Sequence, residues 1–211
     1  MRSVGIFGTS GFAREVADVV AALGDRPVLV ARDRAEIEAT VFGGEVILED
    51  AIGRDPEMAF SVGIGDNAVR ETVARRFADR VQFATLIHPS ATFGIGQREA
   101  IEARQGVIVC AGVRFTNNIA VGDFAIFNLN ATIGHDCIVE DYVNVSPGAA
   151  ISGNVHLRTR CWIGTGAAVN QGTNEARLTV GAGTVVGSGA VVVKDCDDDA
   201  VYVGIPARRS K

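Results

Sequence analysis

Apolar side chains recur at every sixth position through most of the second half of the chain. This period fits neither an α-helix, which repeats every 3.6 residues, nor a half-buried strand, which alternates every two. It indicates a short strand followed by a turn, repeated many times. The repeating positions are Val109, Phe115, Val121, Phe127, Ile133, Val139, Val145, Ile151, Leu157, Ile163 and Val169, and after an interruption at 175–179 the period resumes at Val180, Val186 and Val192.

A second series of small or medium side chains lies four positions after the first, and glycine often follows the first position. We therefore expect a triangular coil of 18 residues, in which three hexads form three sides and both series point inward. Successive coils should stack about 4.8 Å apart, so residues 18 positions apart become neighbours. An irregular Val- and Gly-rich β-sandwich is the alternative, and eleven consecutive matches to the period disfavour it.

The first part of the chain has a different pattern, in which short apolar strands alternate with amphipathic helices. This order is typical of a small Rossmann-like parallel sheet. The sequence therefore predicts an α/β domain at 1–86 and a β-helix domain with a C-terminal tail at 87–211. The expected strands are 3–7, 27–31, 59–64 and 81–86, the expected helices are 12–23 and 68–77, and the segments 96–105 and 171–179 are expected to be loops that rim a site.

Charge and cysteine content narrow the classes of partner. The net charge of −5 argues against a nucleic-acid or anionic-membrane partner, because such partners usually need a basic face. No apolar run is long enough to span a membrane, and the N-terminus reads as a strand rather than a signal peptide.

The cysteines form no CxxC pair, so we expect a cytoplasmic protein with reduced thiols. The histidines, His88, His135 and His156, do not have the spacing of stacked zinc ligands, so no metal site is expected.

His135 is the first candidate for chemistry, because it lies at a hexad corner beside Asp136. Its side chain should project outward, and the carboxylate could orient the ring or stabilise its charged form. A surface histidine on a turn is the alternative. One coil further along, Gly153 should stack beside His135 and present an open backbone N–H, about one strand spacing away. That pair suits acyl transfer, with His135 as general base and the Gly153 N–H as the donor to an oxyanion.

Six short motifs are spread in order over almost the full length of the chain. They are GTSG at 8–11, IGDN at 64–67 followed by Arg70, IHPSA at 87–91, GHDC at 134–137, SPG at 146–148 and GIPA at 204–207. Together they resemble a bacterial sugar O-acyltransferase family within the hexapeptide-repeat acyltransferases. That family includes sialic acid O-acetyltransferases and N-acetyltransferases for nucleotide-linked 4-amino sugars. The resemblance implies a left-handed parallel β-helix, acetyl-CoA as co-substrate, a homotrimer with sites between subunits, and His135 as the general base.

The resemblance also implies which residues contact acetyl-CoA. Gly153 matches a position that contacts the thioester, and Asn144 matches a position that is often a histidine in contact with the acetyl group. The last coils and the tail match the region where the family binds coenzyme A, although a solvated basic tail is the alternative for the terminal residues. The other expected contacts are Gly166, Gly183 and Arg208, with Arg209 and Lys211 as further candidates for the phosphates.

The resemblance further implies that the α/β domain holds the nucleotide part of the sugar substrate. Its glycine turn follows a strand and precedes a helix, which suits a phosphate at a helix N-terminus. Asp33 and Asp66 follow strands at the sheet edge where ligands of parallel sheets bind, and helix capping is the alternative for both. Phe12 stands where family members commonly have histidine. The expected substrate contacts are Gly8, Ser10, Gly11, Phe12, Asp33, Gly65, Asp66 and Asn67.

The leading hypothesis is an acetyl-CoA-dependent N-acetyltransferase that acts on a nucleotide-linked amino sugar. Direct transfer is favoured over an acyl-enzyme, because Cys137 and Cys161 fall in the inward series and buried thiols are inert. One alternative is O-acetylation of sialic acid or another sugar hydroxyl. The other is a trimeric scaffold that binds a nucleotide without catalysis, which would not require His135 to stack on Gly153.

Overall fold

The structure is a computed structural model that describes residues 2–210. The N-terminal part of the chain is an α/β unit. Its elements are β1 (Ser3–Phe7), α1 (Gly11–Ala22), β2 (Arg26–Ala31), α2 (Arg34–Ala39), β3 (Glu45–Leu48), a 3-10 turn (Glu49–Ala51), β4 (Ala59–Val62) and α3 (Asn67–Phe77). The strands form one parallel sheet in the order β3-β2-β1-β4. The expected parallel sheet with flanking helices is therefore confirmed.

The strand expected at 81–86 does not form. Phe83 makes one isolated bridge to Phe60, and its ring packs between Phe7 and Phe124, with centroids 6.2 and 5.1 Å away. Leu86–Ile87 instead forms strand β5, which pairs with the next domain rather than with the α/β sheet. The apolar residues of this segment are thus buried in the contact between the two parts of the chain.

From β5 onward the chain is a parallel β-helix with three flat sides. After β5 come α4 (Gln97–Glu102), β6 (Ile108–Val109), β7 (Arg114–Phe115), β8 (Ala120–Val121), β9 (Ile126–Phe127), β10 (Thr132–Ile133), β11 (Ile138–Val139), β12 (Asn144–Val145), β13 (Ala150–Ile151), β14 (Val155–Leu157), β15 (Trp162–Ile163), β16 (Ala168–Val169), β17 (Leu178–Val180), β18 (Val185–Val186), β19 (Val191–Val192), β20 (Val201–Val203) and β21 (Arg208–Arg209). Sides one, two and three are the sheets β5-β6-β9-β12-β15-β18-β20-β21, β7-β10-β13-β16-β19 and β8-β11-β14-β17, respectively.

The strand register confirms the 18-residue coil. Ile133 lies beside Ile151, and Val139 lies beside Leu157, each 18 positions along the chain. After the interruption the register lengthens to 23, as between Val155 and Leu178, because the extra residues leave the prism at one corner. Both repeating apolar series point inward and form one continuous buried core.

Each corner of the prism needs a residue with left-handed backbone, and this need repeats every six residues. Glycine, asparagine and aspartate reach that conformation at low cost. The corner residues with positive φ include Gly112, Asn118, Phe124, Asn130, Asp136, Tyr142, Gly148, Asn154, Arg160 and Gly166. Gly166 therefore has a structural reason to be glycine, independent of any ligand.

The segment expected to be a loop at 96–105 contains helix α4, and Gln97 anchors it. The Gln97 side chain is buried and exchanges two hydrogen bonds with the backbone of Ile119, donating to its oxygen at 2.8 Å and accepting from its nitrogen at 2.9 Å. Such a paired amide fixes the helix against side three. None of the helices within residues 2–210 is both long enough and apolar enough to cross a bilayer.

The α/β unit packs directly on side one of the prism. Val16 and Val20 on the inner face of α1 share a buried cluster with Leu86, Ile108 and Ile126, which point outward from side one. This shared apolar core fixes the α/β unit relative to the coils, because a close-packed interior resists displacement. The carboxyl ends of its strands are therefore held at a defined distance from the prism.

Candidate active site

His135 lies at the corner between β10 and β11, and its ring is held from two sides. Its Nδ1 lies 2.7 Å from the Asp136 Oδ2, and 45% of its side chain is exposed. The ring also lies against Gly153 of the next coil, because a Cβ built on Gly153 would be only 2.5 Å from Nε2 and from Cε1. The stacking predicted from the 18-residue register is therefore present.

Asp136 determines which ring nitrogen of His135 carries the proton. Hydrogen bonds from the Asn118 amide and from His135 lower the pKa of Asp136, the Asn118 bond having the larger effect. The carboxylate is thus ionised at neutral pH and can accept a hydrogen bond from Nδ1–H. In the tautomer that makes this bond, the lone pair of Nε2 lies on the side of Gly153.

The backbone N–H of Gly153 is available to a ligand. Within residues 2–210 this amide has no hydrogen-bond acceptor, whereas the Gly153 oxygen accepts from the Gly172 nitrogen at 3.1 Å. Gly134 leaves the amide uncovered, since a Cβ at Gly134 would lie 2.5 Å from the Gly153 nitrogen. The Asn154 nitrogen donates to the His135 oxygen at 2.8 Å and holds the two coils together at this corner. A base and an open donor thus share one edge, as acyl transfer requires.

A groove of about 710 Å³ runs beside the His135 corner on side three. Ala120 and Ile138 lie along it, and Asn118, Asp136 and Arg177 supply polar groups. Arg177 comes from the interruption in the repeat and donates from Nε to the Asp136 oxygen at 3.1 Å. The sequence signals the interruption but not the direction of this guanidinium.

Cys137, next to the His135 corner, and Cys161, at a different corner, are both buried and protonated. Burial raises the pKa of Cys137 to about 11 and raises the pKa of Cys161 still further. A thiol that holds its proton at neutral pH is a poor nucleophile. The thiols therefore give no support to a covalent acyl-enzyme.

The carboxyl ends of the α/β strands border a pocket of about 370 Å³. Gly8 and Ser10 line it, and Gly8 has a φ of 112°, which disfavours a side chain there. Gly11 is the first residue of α1, directly after Ser10. Phe12 packs partly buried against the core of the α/β unit and does not line this pocket. Two arginines that no sequence motif predicted also lie at the rim of this pocket. Arg32 forms an ion pair with Glu36, and Arg76 forms one with Glu49.

Asp33 and Asp66 both cap helices. Asp33 Oδ1 accepts from the Glu36 nitrogen at 2.9 Å, and Asp66 Oδ1 accepts from the Val69 nitrogen at 2.9 Å. Each side chain satisfies an N–H group that the first helical turn leaves without a partner. This favours the capping interpretation for both aspartates, and direct contact with a substrate stays a prediction.

Gly65 and Asn67 connect the loop after β4 to the prism. Asn67 Nδ2 donates to the Arg160 oxygen at 2.8 Å, and the Gly65 oxygen accepts from Asn144 Nδ2 at 3.0 Å. Asn144 is 4% exposed, and its Oδ1 is buried without a hydrogen-bond partner among residues 2–210. The loop and Asn144 therefore form one contact between the α/β unit and side one.

The remaining expected cofactor contacts lie away from His135 within one chain. Gly183 has a φ of 65°, and a Cβ there would lie 2.3 Å from Asp199 Oδ1, so the position favours glycine for a structural reason. Arg208 lines a separate pocket of about 320 Å³ near the C-terminus, together with Arg209. Lys211 lies outside the described residues.

The other two histidines make local contacts. His88 Nδ1 lies 2.8 Å from Ser90 Oγ, and His156 Nε2 lies 2.7 Å from Glu140 Oε1. Among residues 2–210 no three His, Cys, Asp or Glu side chains cluster as metal ligands would.

Comparison with known proteins gives both parts of the chain a match. Residues 3–77 match the family described as PglD N-terminal domain. GDP-perosamine N-acetyltransferase of Escherichia coli O157:H7 is 29% identical over 219 residues, covering 100% of this chain and 97% of that protein.

Solved structures match over the whole length. A histidine-to-asparagine mutant of perosamine N-acetyltransferase from Caulobacter crescentus, in complex with CoA and GDP-perosamine, has a TM-score of 0.86 and 31% identity, covering 100% of this chain and 98% of that one. The acetyltransferase domain of PglB from Neisseria gonorrhoeae FA1090, in complex with acetyl coenzyme A, has a TM-score of 0.86 and 30% identity, covering 99% and 98%. With an α/β domain followed by a left-handed parallel β-helix, the chain belongs to the hexapeptide-repeat acetyltransferases of nucleotide-linked amino sugars.

Proposed function

We propose that the protein transfers the acetyl group of acetyl-CoA directly to the amino group of a nucleotide-linked amino sugar. The observation that carries this proposal is the His135 ring against Gly153, whose N–H has no acceptor within residues 2–210. The full-length relatives support an amino acceptor, because one is named as a GDP-perosamine N-acetyltransferase and another is solved with CoA and GDP-perosamine.

His135 and Gly153 divide the chemical step between them. The sugar amine attacks the thioester carbonyl, and a C–N bond forms while the carbonyl oxygen becomes an oxyanion. The Gly153 N–H donates to this oxyanion, and Nε2 of His135 takes the proton that the amine loses. Asp136 stabilises the imidazolium that results. The C–S bond then breaks, and the leaving CoA thiolate takes the proton from His135.

The proposed assembly is a cytoplasmic homotrimer with each site between two subunits. Asn144 lies on side one, whereas His135 lies at the corner between sides two and three. One chain therefore separates the base from Asn144 and the loop 64–67 that covers it, and a neighbouring copy would bring that loop and the base together. Light scattering should give a mass of about three times 22.1 kDa.

The direct test is the release of CoA thiol from acetyl-CoA, followed with a thiol reagent, with GDP-perosamine as the first acceptor. UDP-, dTDP- and CMP-linked 4-amino sugars test the nucleotide, and the matching hydroxyl sugars test O-acetylation. We expect thiol release with an amino sugar, accompanied by the mass gain of one acetyl group on that sugar. Release with hydroxyl acceptors alone, or with no acceptor in the panel, would contradict the proposal.

Replacing Asp136 by asparagine should lower kcat by about tenfold or more. Asparagine tolerates the left-handed backbone at this corner, where φ is 59°, but it cannot stabilise an imidazolium by charge. Steady-state kinetics at saturating substrates would measure the effect. The matched control is Glu140→Gln, which removes the carboxylate 2.7 Å from His156, and its kcat should stay within about twofold of the wild type. Equal losses in both variants would contradict the role of Asp136.

A further inference from the structure

Arg70 is the largest fully buried side chain among the described residues, with 0% exposure. Arg70 belongs to α3 of the α/β unit, and within residues 2–210 its guanidinium bonds only to backbone and amide oxygens and to no carboxylate. A guanidinium only donates hydrogen bonds, and a buried one must find acceptors for all of its N–H groups. Burial lowers the pKa of Arg70 to about 9, so the group stays cationic at neutral pH.

The guanidinium satisfies its N–H groups on two different parts of the chain. The acceptors are the Phe124 oxygen for Nε at 2.9 Å, the Ile64 and Gly65 oxygens for Nη1 at 3.1 and 3.0 Å, and Asn67 Oδ1 and the Tyr142 and Val143 oxygens for Nη2 at 2.8, 2.7 and 3.4 Å. One group of acceptors lies in the loop 64–67, which follows β4. The other group lies in the prism, at the same corner of two successive coils and at the residue after the second of these corner residues.

The prism acceptors form a rigid platform. Phe124 and Tyr142 are corner residues of successive coils, both with positive φ, and their rings stack with centroids 5.3 Å apart. The planar fork of arginine can join such a platform to the loop because its donors point in fixed directions. Lysine has a single ammonium group with three donors and cannot reach the same set of acceptors.

Through the loop, the guanidinium acts on groups that have proposed binding roles. The Gly65 oxygen that accepts from Arg70 also accepts from Asn144 Nδ2, and Asn67 Oδ1 accepts from Arg70 while its Nδ2 donates to the prism. Ile64 lines the pocket at the carboxyl ends of the α/β strands. The loop thus joins the proposed nucleotide pocket to the proposed acetyl contact.

We propose that Arg70 is a positioning residue, which holds the loop 64–67 against the prism so that the nucleotide pocket keeps a fixed place relative to the transfer site. It touches no substrate in this role and acts through the loop. The inference rests on the proposed function for its kinetic consequence, whereas its structural consequence can be measured without any turnover.

The test compares Arg70→Lys and Arg70→Met with the control variant Arg75→Met. Arg75 lies on the same helix as Arg70, and its side chain is 75% exposed. We expect both Arg70 variants to raise KM for the nucleotide sugar by about tenfold or more, because the pocket is no longer held in place. At saturating sugar, kcat should fall by a smaller factor than KM rises, since His135 and Gly153 lie on another corner. A merely destabilised protein would lose active fraction and kcat without this change in KM.

Hydrogen exchange followed by mass spectrometry provides the readout that does not depend on turnover. In peptides covering 64–70, the amides of residues 69 and 70, which donate to Asp66, should exchange about tenfold faster in Arg70→Lys than in the wild type or in Arg75→Met, while peptides of β10 and β13 should not change. If the wild type acetylates no sugar, the proposed function fails and exchange alone decides the role of Arg70.

Unchanged exchange at 64–70 and unchanged KM in folded Arg70→Lys would overturn the inference. If neither variant folds, exchange of the Val69 and Arg70 amides in the wild type decides, because these two amides donate to Asp66 at the start of α3. The inference expects them to be as protected as the later turns of α3, and exchange at the rate of an unfolded chain would overturn it.

Discussion

Replacing His135 by alanine is expected to lower kcat by about 10²- to 10⁴-fold, the usual contribution of a positioned general base. The ring contacts only Asp136 and the Gly153 edge in the described chain, so its removal leaves the core intact. The dissociation constant of the nucleotide sugar should therefore stay within about threefold of the wild type, since the proposed nucleotide pocket lies in the α/β unit. Single-turnover kinetics and calorimetric titration would measure the two quantities separately.

The matched control for His135 is His156→Ala. His156 also has a carboxylate 2.7 Å from a ring nitrogen, but it lies within β14 and faces no glycine amide of the next coil. Its replacement should leave kcat within about twofold. A His135→Ala enzyme that turns over at close to the wild-type rate would remove the proposed mechanism and leave only the architecture.

The β-helix could be predicted from the sequence because each repeat places an apolar residue at each inward position. The same register placed Gly153 beside His135, since residues that are three hexads apart must be neighbours in a three-sided coil. The left-handed corners add a second signal of the same period, in residues such as Asn118, Asn130 and Asp136. Local chemistry and long-range order agree at each position, which makes such a sequence easy to interpret.

The α/β unit was less predictable where its elements carry no apolar period. Helix α2 has no buried residue, and β3 is a partly buried edge strand. The segment 81–86 does have an apolar pattern, but this pattern is misleading. Val81, Phe83 and Leu86 are spaced as in a strand, yet they pack between the two parts of the chain. Burial by tertiary contact overrides a local strand pattern here.

The motif IGDN at 64–67 followed by Arg70 marks these polar residues in the sequence, but their distant partners have no local signal. Arg70 reaches acceptors 54 and 72 positions away, and Asn67 reaches acceptors 93 and 94 positions away. Nothing in the spacing of residues within α3 says which one turns toward the prism. Such contacts depend on how two domains dock, which a pattern within one segment does not encode.

Replacing Gly153 by alanine is expected to lower kcat by about 10²-fold while the free energy of unfolding changes by no more than about 1 kcal/mol. The φ of Gly153 is not positive, so alanine fits the backbone, but its Cβ would lie 2.5 Å from Nε2 of His135. The ring is partly exposed and can swing toward solvent, which relieves the clash and removes the base from the edge of the coil. Steady-state kinetics and urea unfolding would measure the two effects.

Two further variants decide whether the loss comes from the displaced ring. Gly43→Ala is the matched control, because a Cβ there meets no atom within 4 Å and its φ is not positive, so its kcat should equal that of the wild type. In the double variant His135→Ala and Gly153→Ala, the methyl group has no ring to displace, so kcat should match that of His135→Ala alone. Losses that multiply in the double variant would show that the two residues act independently, and wild-type turnover in Gly153→Ala would show that the edge between them is not where acyl transfer occurs.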